Sequence, residues 1–399
     1  MNRSIIRIVL LVLVATLALF LLLRTRAARE AAAPGAGPTA ESTVETAAGL
    51  DASGTTTASV TAPVTITGAV SAMEVAPQPL ALAGPAADRL AEFSSLTRYG
   101  PDFILLPQYP GRFGDPAAPV VEAATTRSEG QLFAVAEEEV LGRINGQSAE
   151  PLTPRPVAFT APASVTGLPG FEGFEAIAFL EDQVFLTVET QDAERTRGFV
   201  VSGSFEVDEA DHVTAIHLDE RDPVEVPLPA NLDNMSLESL LVTASGLLTF
   251  FEANGAKVNP QPMDQRLGFD LSLKDQLPFP TVEYRITDAT ELDASGCFWA
   301  INYRFPGDDA TLPPADDAIA ARWGQGPTHA RFTQVERLLP FCYADGHLSL
   351  QDRAPIQLQL VDAETSRNWE GIERVRDYGF LLVTDKFPST ELAFVPTSG

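Results

Sequence analysis

Five stretches of this chain share one layout, and that repeat limits the possible folds more than any other feature. Each has an acidic or small polar residue, a short apolar run, a tight turn, a second apolar run, and then another acid or amide. They run from Ser94 to Gln108, Glu175 to Glu189, Glu238 to Glu252, Asp288 to Asn302 and Glu370 to Asp385, so the end-to-end spacing is 14 residues four times and 15 once. The turns fall midway, at Gly100-Pro101-Asp102, Glu181-Asp182-Gln183, Ser245-Gly246, Ser295-Gly296 and Asp377-Tyr378-Gly379. With β-branched and aromatic flanks, each unit reads as a β-hairpin. The gaps hold further strand-like runs: Gln131 to Val140, Pro156 to Thr160, Phe199 to Val207, Val213 to Leu218, Val335 to Tyr343 and Ile356 to Val361.

Four strands per unit, repeated five times, predict an all-β fold, a β-propeller. Five blades are expected. Six is the alternative because two repeats exceed 80 residues, and a pair of β-sandwiches is the third choice. After Leu392 to Val395 the last unit lacks one strand, which Val70 to Leu82 is expected to supply, closing the ring and removing open sheet edges. No helical periodicity is expected to compete past residue 64.

Ahead of the repeats, residues 1–26 carry an apolar run from Ile5 to Leu23, interrupted by Arg7 and followed by Arg24, Arg26 and Arg29. This reads as a membrane anchor, with a cleaved signal peptide as the alternative. Residues 27–63 are Ala, Thr, Gly, Pro and Ser with few large apolar groups, the composition of a disordered linker. The propeller domain is expected over residues 64–399. The 27 basic and 54 acidic residues of the whole chain give a formal net charge of −27. That excludes nucleic acid as a partner and favours cations. Anchor, linker and acidic domain together place the domain outside the cytoplasm, in the periplasm if the cell is Gram-negative.

Cys297 opens the second strand of the fourth unit and Cys342 closes its third, so antiparallel pairing would set them side by side. Outside the cytoplasm that favours a disulfide over two buried free thiols.

Residues equidistant from a hairpin turn lie opposite one another. The pairs Ser94/Gln108, Glu175/Glu189, Glu238/Glu252, Asp288/Asn302 and Glu370/Asp385 are therefore expected to ring one mouth of the central channel, with Ser94 where the other units carry an acid. Facing carboxylates repel. Four compensations are open: a bound hard cation such as Ca²⁺, pairing with Arg98, Arg285, Arg304, Arg367 or Lys386, raised pKa values that make proton-transfer groups, or hydrogen bonds from neighbouring backbone. The four histidines (His212, His217, His329, His347) lie outside the hairpins and are expected at the surface, whereas Trp299 and Trp369 are expected in the core between blades. No Gly-x-Ser-x-Gly elbow, His-Glu-x-x-His motif or phosphate loop occurs.

The runs Gly170-Phe171-Glu172-Gly173-Phe174-Glu175, Asn234 to Leu240 and Arg367-Asn368-Trp369-Glu370-Gly371-Ile372 resemble the phytase-like propeller domains described as having an "esterase-like activity of phytase". More loosely, the acid ring is similar to that of gluconolactonase-like and paraoxonase-like calcium propellers. The resemblance implies an envelope-facing propeller that acts on esters or phosphoesters with Ca²⁺. In that reading Glu175, Glu238, Asp288, Asn302 and Glu370 hold the metal, and Glu189, Glu252 and Asp385 serve as acid–base groups. The alternative is a non-catalytic propeller that binds a protein, peptide or glycan at the envelope. The substrate or partner is not named by the sequence.

Overall fold

The computed structural model describes residues 73–114 and 120–397. The expected anchor and linker lie outside the described residues, as does the start of the closing segment at Val70. Among the described residues no helix is long and apolar enough to cross a membrane.

The five expected hairpins form, and each starts a four-stranded unit. Unit one comprises Phe93–Tyr99, Asp102–Pro107, Glu129–Ala136 and Arg155–Thr160. Unit two comprises Phe171–Leu180, Gln183–Gln191, Thr196–Val207 and Val213–Leu218, and unit three Leu237–Thr243, Gly246–Phe251, Met263–Leu267 and Leu273–Pro278. Unit four has Arg285–Ala289, Cys297–Arg304, Val335–Ala344 and Ile356–Leu358, with His347–Leu350 paired beside its third strand. Unit five is Trp369–Val375, Gly379–Thr384 and Leu392–Pro396, completed by Gln78–Leu80 from ahead of unit one, antiparallel to Leu392–Pro396. The missing strand thus comes from the expected segment. The outermost strands of units one and two also pair in parallel, Ala158 opposite Ala215, which joins those two sheets edge to edge.

The first strands of the units touch in cyclic order, one to two to three to four to five and back to one. Each unit is apolar on both faces, so the hydrophobic packing lies between neighbours. Ile104, Leu132 and Val157 of unit one meet Phe174, Ile177 and Leu186 of unit two. Ala176 and Phe185 meet Leu240 and Leu247 of unit three, and Leu248 and Phe250 meet Phe298 and Phe341 of unit four. Trp299 and Ile301 meet Trp369 and Leu382 of unit five, whose Leu381 and Phe394 meet Phe93 and Phe103 of unit one. A ring of radially arranged sheets packed face to face is a β-propeller.

Among the described residues three short α-helices depart from the expectation of none past residue 64: α1 (Glu137–Ile144), α2 (Ala163–Thr166) and α3 (Ala318–Trp323). The strand expected over Gln131 to Val140 ends at Ala136. Glu137, Glu138 and Glu139 then place negative charge on the first turn of α1, where the helix dipole favours it, while Val140 and Leu141 turn inward. The apolar run had concealed a change of period.

Cys297 and Cys342 are opposite one another in the strand register and form a disulfide. Closing a loop of 45 residues contributes about 4 kcal/mol on the chain-entropy estimate.

Candidate functional site

The ring positions come from an irregularity repeated in all five inner strands. In units one, three and five the register skips one residue, between Phe93 and Ser95, Leu237 and Ser239, and Trp369 and Gly371. The skipped residues are Ser94, Glu238 and Glu370. Unit two is irregular between Phe174 and Ile177, around Glu175, and unit four between Ile286 and Ala289. A β-bulge re-aims a side chain away from the pleat. Because of it, the two ends of each hairpin are not directly opposite as expected: Glu189 faces Gly173, and the Glu252 amide bonds to the Ser236 carbonyl.

Eight of the ten expected ring residues line one cavity of about 310 Å³ at the mouth of the channel: Ser94, Gln108, Glu175, Glu189, Glu238, Glu252, Glu370 and Asp385. Asp288 and Asn302 do not. Thr287 Oγ1 donates to the Trp369 carbonyl as Ser94 Oγ donates to that of Phe174, so Thr287 is the unit-four equivalent of Ser94. Asp288 is one residue along, and a one-residue step in a strand reverses the side chain. Its carboxyl accepts from the backbone N–H of Leu96 (3.3 Å) and of Ile372 (3.0 Å). Asn302 donates to the Glu283 and Arg285 carbonyls and accepts from Arg337 Nε. Asp288 instead borders a second cavity of about 210 Å³, walled by Ile177, Phe179, Leu240 and Leu292, which shares no lining residue with the first.

The first cavity also takes in Glu92 and Glu172, giving eight carboxyl groups against two cations, Arg285 and Lys386. Both cations are already engaged. Arg285 pairs with Glu252 at 3.0 Å and with Asp308 at 2.8 Å, and Lys386 pairs with Glu92 at 2.5 Å, which Arg112 also holds. The other basic residues considered from sequence serve elsewhere: Arg98 pairs with Glu137, Arg304 with Asp309 and Arg367 with Glu336. Glu189 Oε1 is buried without a hydrogen-bond partner. Glu175 accepts only a 3.3 Å bond from the Gln108 amide. Gly173 makes that approach possible, since a Cβ there would lie 2.4 Å from Gln108 Cγ.

Burial raises Glu175, Glu189, Glu238, Glu252, Glu370 and Asp385. Glu175 rises to about 8, opposed by the Gln108 hydrogen bond. Glu189, Glu238 and Glu370 stand well above the usual range through burial and the charge of neighbouring carboxylates. Glu252 rises only to about 7, because Arg285 offsets its desolvation. The cavity therefore holds neutral carboxylic acids beside a carboxylate, Glu252, that the Arg285 guanidinium supports, an arrangement that separates proton donor from acceptor.

This electrostatics has a sign in stability. The folded state binds more protons than the unfolded chain between pH 4.5 and the raised values of about 7 and 8. The stability these groups contribute is present in full below pH 4.5 and is lost as pH rises through 7 to 8, with every tenfold change in a group's acidity on folding worth about 1.4 kcal/mol. By calorimetry, Tm should fall between about pH 5 and pH 8.5, and the fall should be smaller in Glu175→Gln. A Tm that stays flat over that interval would mean the acids are ionised throughout in the folded state.

Of the five residues expected to hold calcium, Glu175, Glu238 and Glu370 line the cavity. Asp288 and Asn302 lie outside the cavity with their polar atoms bonded, and among the described residues no group of three or more His, Cys, Asp or Glu side chains is arranged to hold a metal ion. Sequence reasoning missed Glu92 and Tyr109, which fall outside the repeat, and Glu172, whose only signal was its place in the Phe171-Glu172-Gly173 run. The histidines are not all superficial. His329 is buried between Glu74 and Glu336, and His212 bonds to buried Asp102 at 2.8 Å. None of the four lines the cavity. Trp299 and Trp369 are buried between units four and five, as expected.

No protein-family model matches the chain, and no curated protein matches it. The phytase-like resemblance therefore has no family match behind it, and the propeller architecture is what stands. Among solved structures, a glycosyl hydrolase from Bacteroides ovatus is similar at 12% identity and TM-score 0.40, covering 84% of this chain and 94% of its own. The β-xylosidase RS223 is similar at 10% identity and TM-score 0.43, covering 79% and 93%. The PQQ-bound aldose sugar dehydrogenase of Streptomyces coelicolor follows at 13% identity and TM-score 0.34, covering 83% and 96%. Likenesses this distant leave the chemistry of the site to be argued from its own side chains.

Proposed function

We propose that the protein is a hydrolase of glycosidic bonds, built on a five-bladed propeller, with its active site in the carboxyl-lined cavity. The observation that carries the reading is the Glu252–Arg285 pair among Glu175, Glu189, Glu238 and Glu370, none of which has a cation of its own. Hydrolysis of an acetal needs one carboxylic acid to protonate the leaving oxygen and one carboxylate to act on the other side of the anomeric carbon. Other classes fit less well. Ser94 is the one hydroxyl nucleophile of serine type among the lining residues, and it donates to the Phe174 carbonyl with no histidine beside it. A phosphoester would require free cations, and both the lysine and the arginine in the cavity are paired. A neutral, hydroxyl-rich substrate can instead donate to the carboxylates and accept from the protonated acids, with the amides of Gln108 and Asn368 at the rim.

In this reading Glu252 takes a proton from the attacking water while Arg285 holds the resulting charge pattern. A neutral carboxyl, Glu175 in the first instance, gives its proton to the departing sugar oxygen. The test is the intact chain assayed on 4-nitrophenyl glycosides of the common neutral hexoses and pentoses, beside 4-nitrophenyl esters and phosphate, with EDTA or with added Ca²⁺. Glycoside hydrolysis indifferent to EDTA is expected. Ester or phosphate hydrolysis that requires Ca²⁺ would replace this proposal with the calcium-dependent esterase, and sugar binding without turnover would leave a glycan-binding propeller.

We propose further that residues 1–26 tether the domain outside the cytoplasm. The Cys297–Cys342 disulfide supports this, because such bonds persist in oxidising compartments. Cell fractionation that leaves the chain soluble in the cytoplasm would exclude it.

A further inference from the structure

A third cavity, a cleft of about 520 Å³, adjoins the carboxyl-lined cavity and shares Arg285, Asn368 and Phe387 with it. Two features set the cleft apart from an ordinary surface depression. Phe305 and Phe387 line it with 44% and 49% of their surface exposed, although a ring of that size is normally covered. Polar groups stand beside the rings, including Asp308, which is held by Arg285. Phe387 is steadied by the Arg89 guanidinium 5.1 Å from its ring centre. Flat apolar rings flanked by hydrogen-bonding groups suit a ligand with one apolar face and polar edges, which describes a pyranose or furanose ring.

Asp288, on the inner strand of unit four, reaches the backbone of Leu96 in unit one and Ile372 in unit five. Units one and four are not neighbours in the ring, so this carboxyl crosses the channel. The cavities at the two ends have no lining residue in common. A linear polymer cannot be threaded through and cut in the middle. It can enter only end first, with the rest of the chain leaving by the cleft.

We propose that the cleft binds the continuing chain of a neutral oligosaccharide whose terminal unit occupies the carboxyl-lined cavity, so that the protein takes its ligand from the chain end. This rests on the glycoside reading above for the class of ligand. The stacking surface is Phe305 and Phe387, and Arg285 and Asn368 stand at the junction of the two spaces.

The test is calorimetric titration of the intact Glu252→Gln chain with xylose and xylotriose, glucose and cellotriose, and mannose and mannotriose. For at least one pair the trisaccharide should bind about tenfold tighter or more than its monosaccharide, the gain expected of one or two ring stacks. Adding Phe305→Ala should reduce that ratio to about threefold or less, and Phe305→Trp should keep it. Phe305 is exposed, so an unchanged Tm will show that the fold is intact. A ratio near one in all three pairs, a ratio insensitive to Phe305→Ala, or no sugar binding at all would overturn the proposal. The hydrolase reading fails separately: length-dependent binding in a wild-type chain that hydrolyses no glycoside would sink that reading and leave the cleft assignment standing.

Discussion

Replacing Glu252 by glutamine should lower kcat on a glycoside about 10²- to 10⁴-fold, the range expected when a positioned acid–base group is lost. Glutamine keeps the volume and one hydrogen bond to Arg285 but carries no charge and takes no proton. Arg285, itself largely buried, would be left facing Asp308 alone. KM should change much less than kcat, because the lost interaction belongs to the transition state. Steady-state kinetics of the intact variant, with its far-UV spectrum unchanged, would check this. A variant retaining more than about a tenth of wild-type kcat would remove Glu252 from the reaction.

The largest effect on stability is expected at Glu336. This fully buried carboxylate accepts from Arg367 Nε (2.9 Å), from the Arg367 backbone N–H (3.0 Å) and from the Trp369 indole (2.8 Å). It ties the third strand of unit four to the start of unit five, immediately before Glu370. Glu336→Ala would strand a buried guanidinium and an indole N–H, and breaking such a pair from one side costs about 3–5 kcal/mol. Glu336→Gln, which keeps an acceptor, should cost clearly less. Urea unfolding midpoints of the two variants would measure the difference. An alanine variant within about 1 kcal/mol of wild type would show that water replaces the carboxylate without penalty.

The spacing of the repeats was legible because a hairpin that spans one inner pair of strands has a fixed length, and the units obeyed it with a polar residue at each end. Unit four misled for the same reason. By hydrogen bonding and register its equivalents of Ser94 and Gln108 are Thr287 and Tyr303, while the acid and amide that fit the spacing, Asp288 and Asn302, each lie one residue away. The strand period of two then turned both side chains out of the cavity. The disulfide was legible because it required only that the start of one strand meet the end of the next. Glu92 could not be found in this way. It precedes the first strand at φ 38°, in a left-handed conformation that no pattern of apolar residues announces. Nor was the division of labour among the acids legible, because it depends on burial and on which carboxylate Arg285 reaches. That is a property of the closed ring and of no single unit. The approach of units five and one at Gly371 is a further example. A Cβ there would sit 2.8 Å from the Leu96 backbone nitrogen, a constraint visible only when the ring is closed.

The central claim is that neutral and ionised carboxyls in one cavity carry out acid–base hydrolysis, and the pH dependence of kcat/KM tests it most directly. Activity requires Glu252 without its proton, above about pH 7, and Glu175 with its proton, below about pH 8. The two titrations belong to a coupled set, so the apparent limbs describe the cavity as a whole. A narrow bell with its maximum between about pH 7 and 8 is expected on the best glycoside substrate, and in Glu175→Gln a lower rate without the alkaline limb. A rate that is highest below about pH 5, or a profile unmoved by both Glu175→Gln and Glu252→Gln, would contradict it.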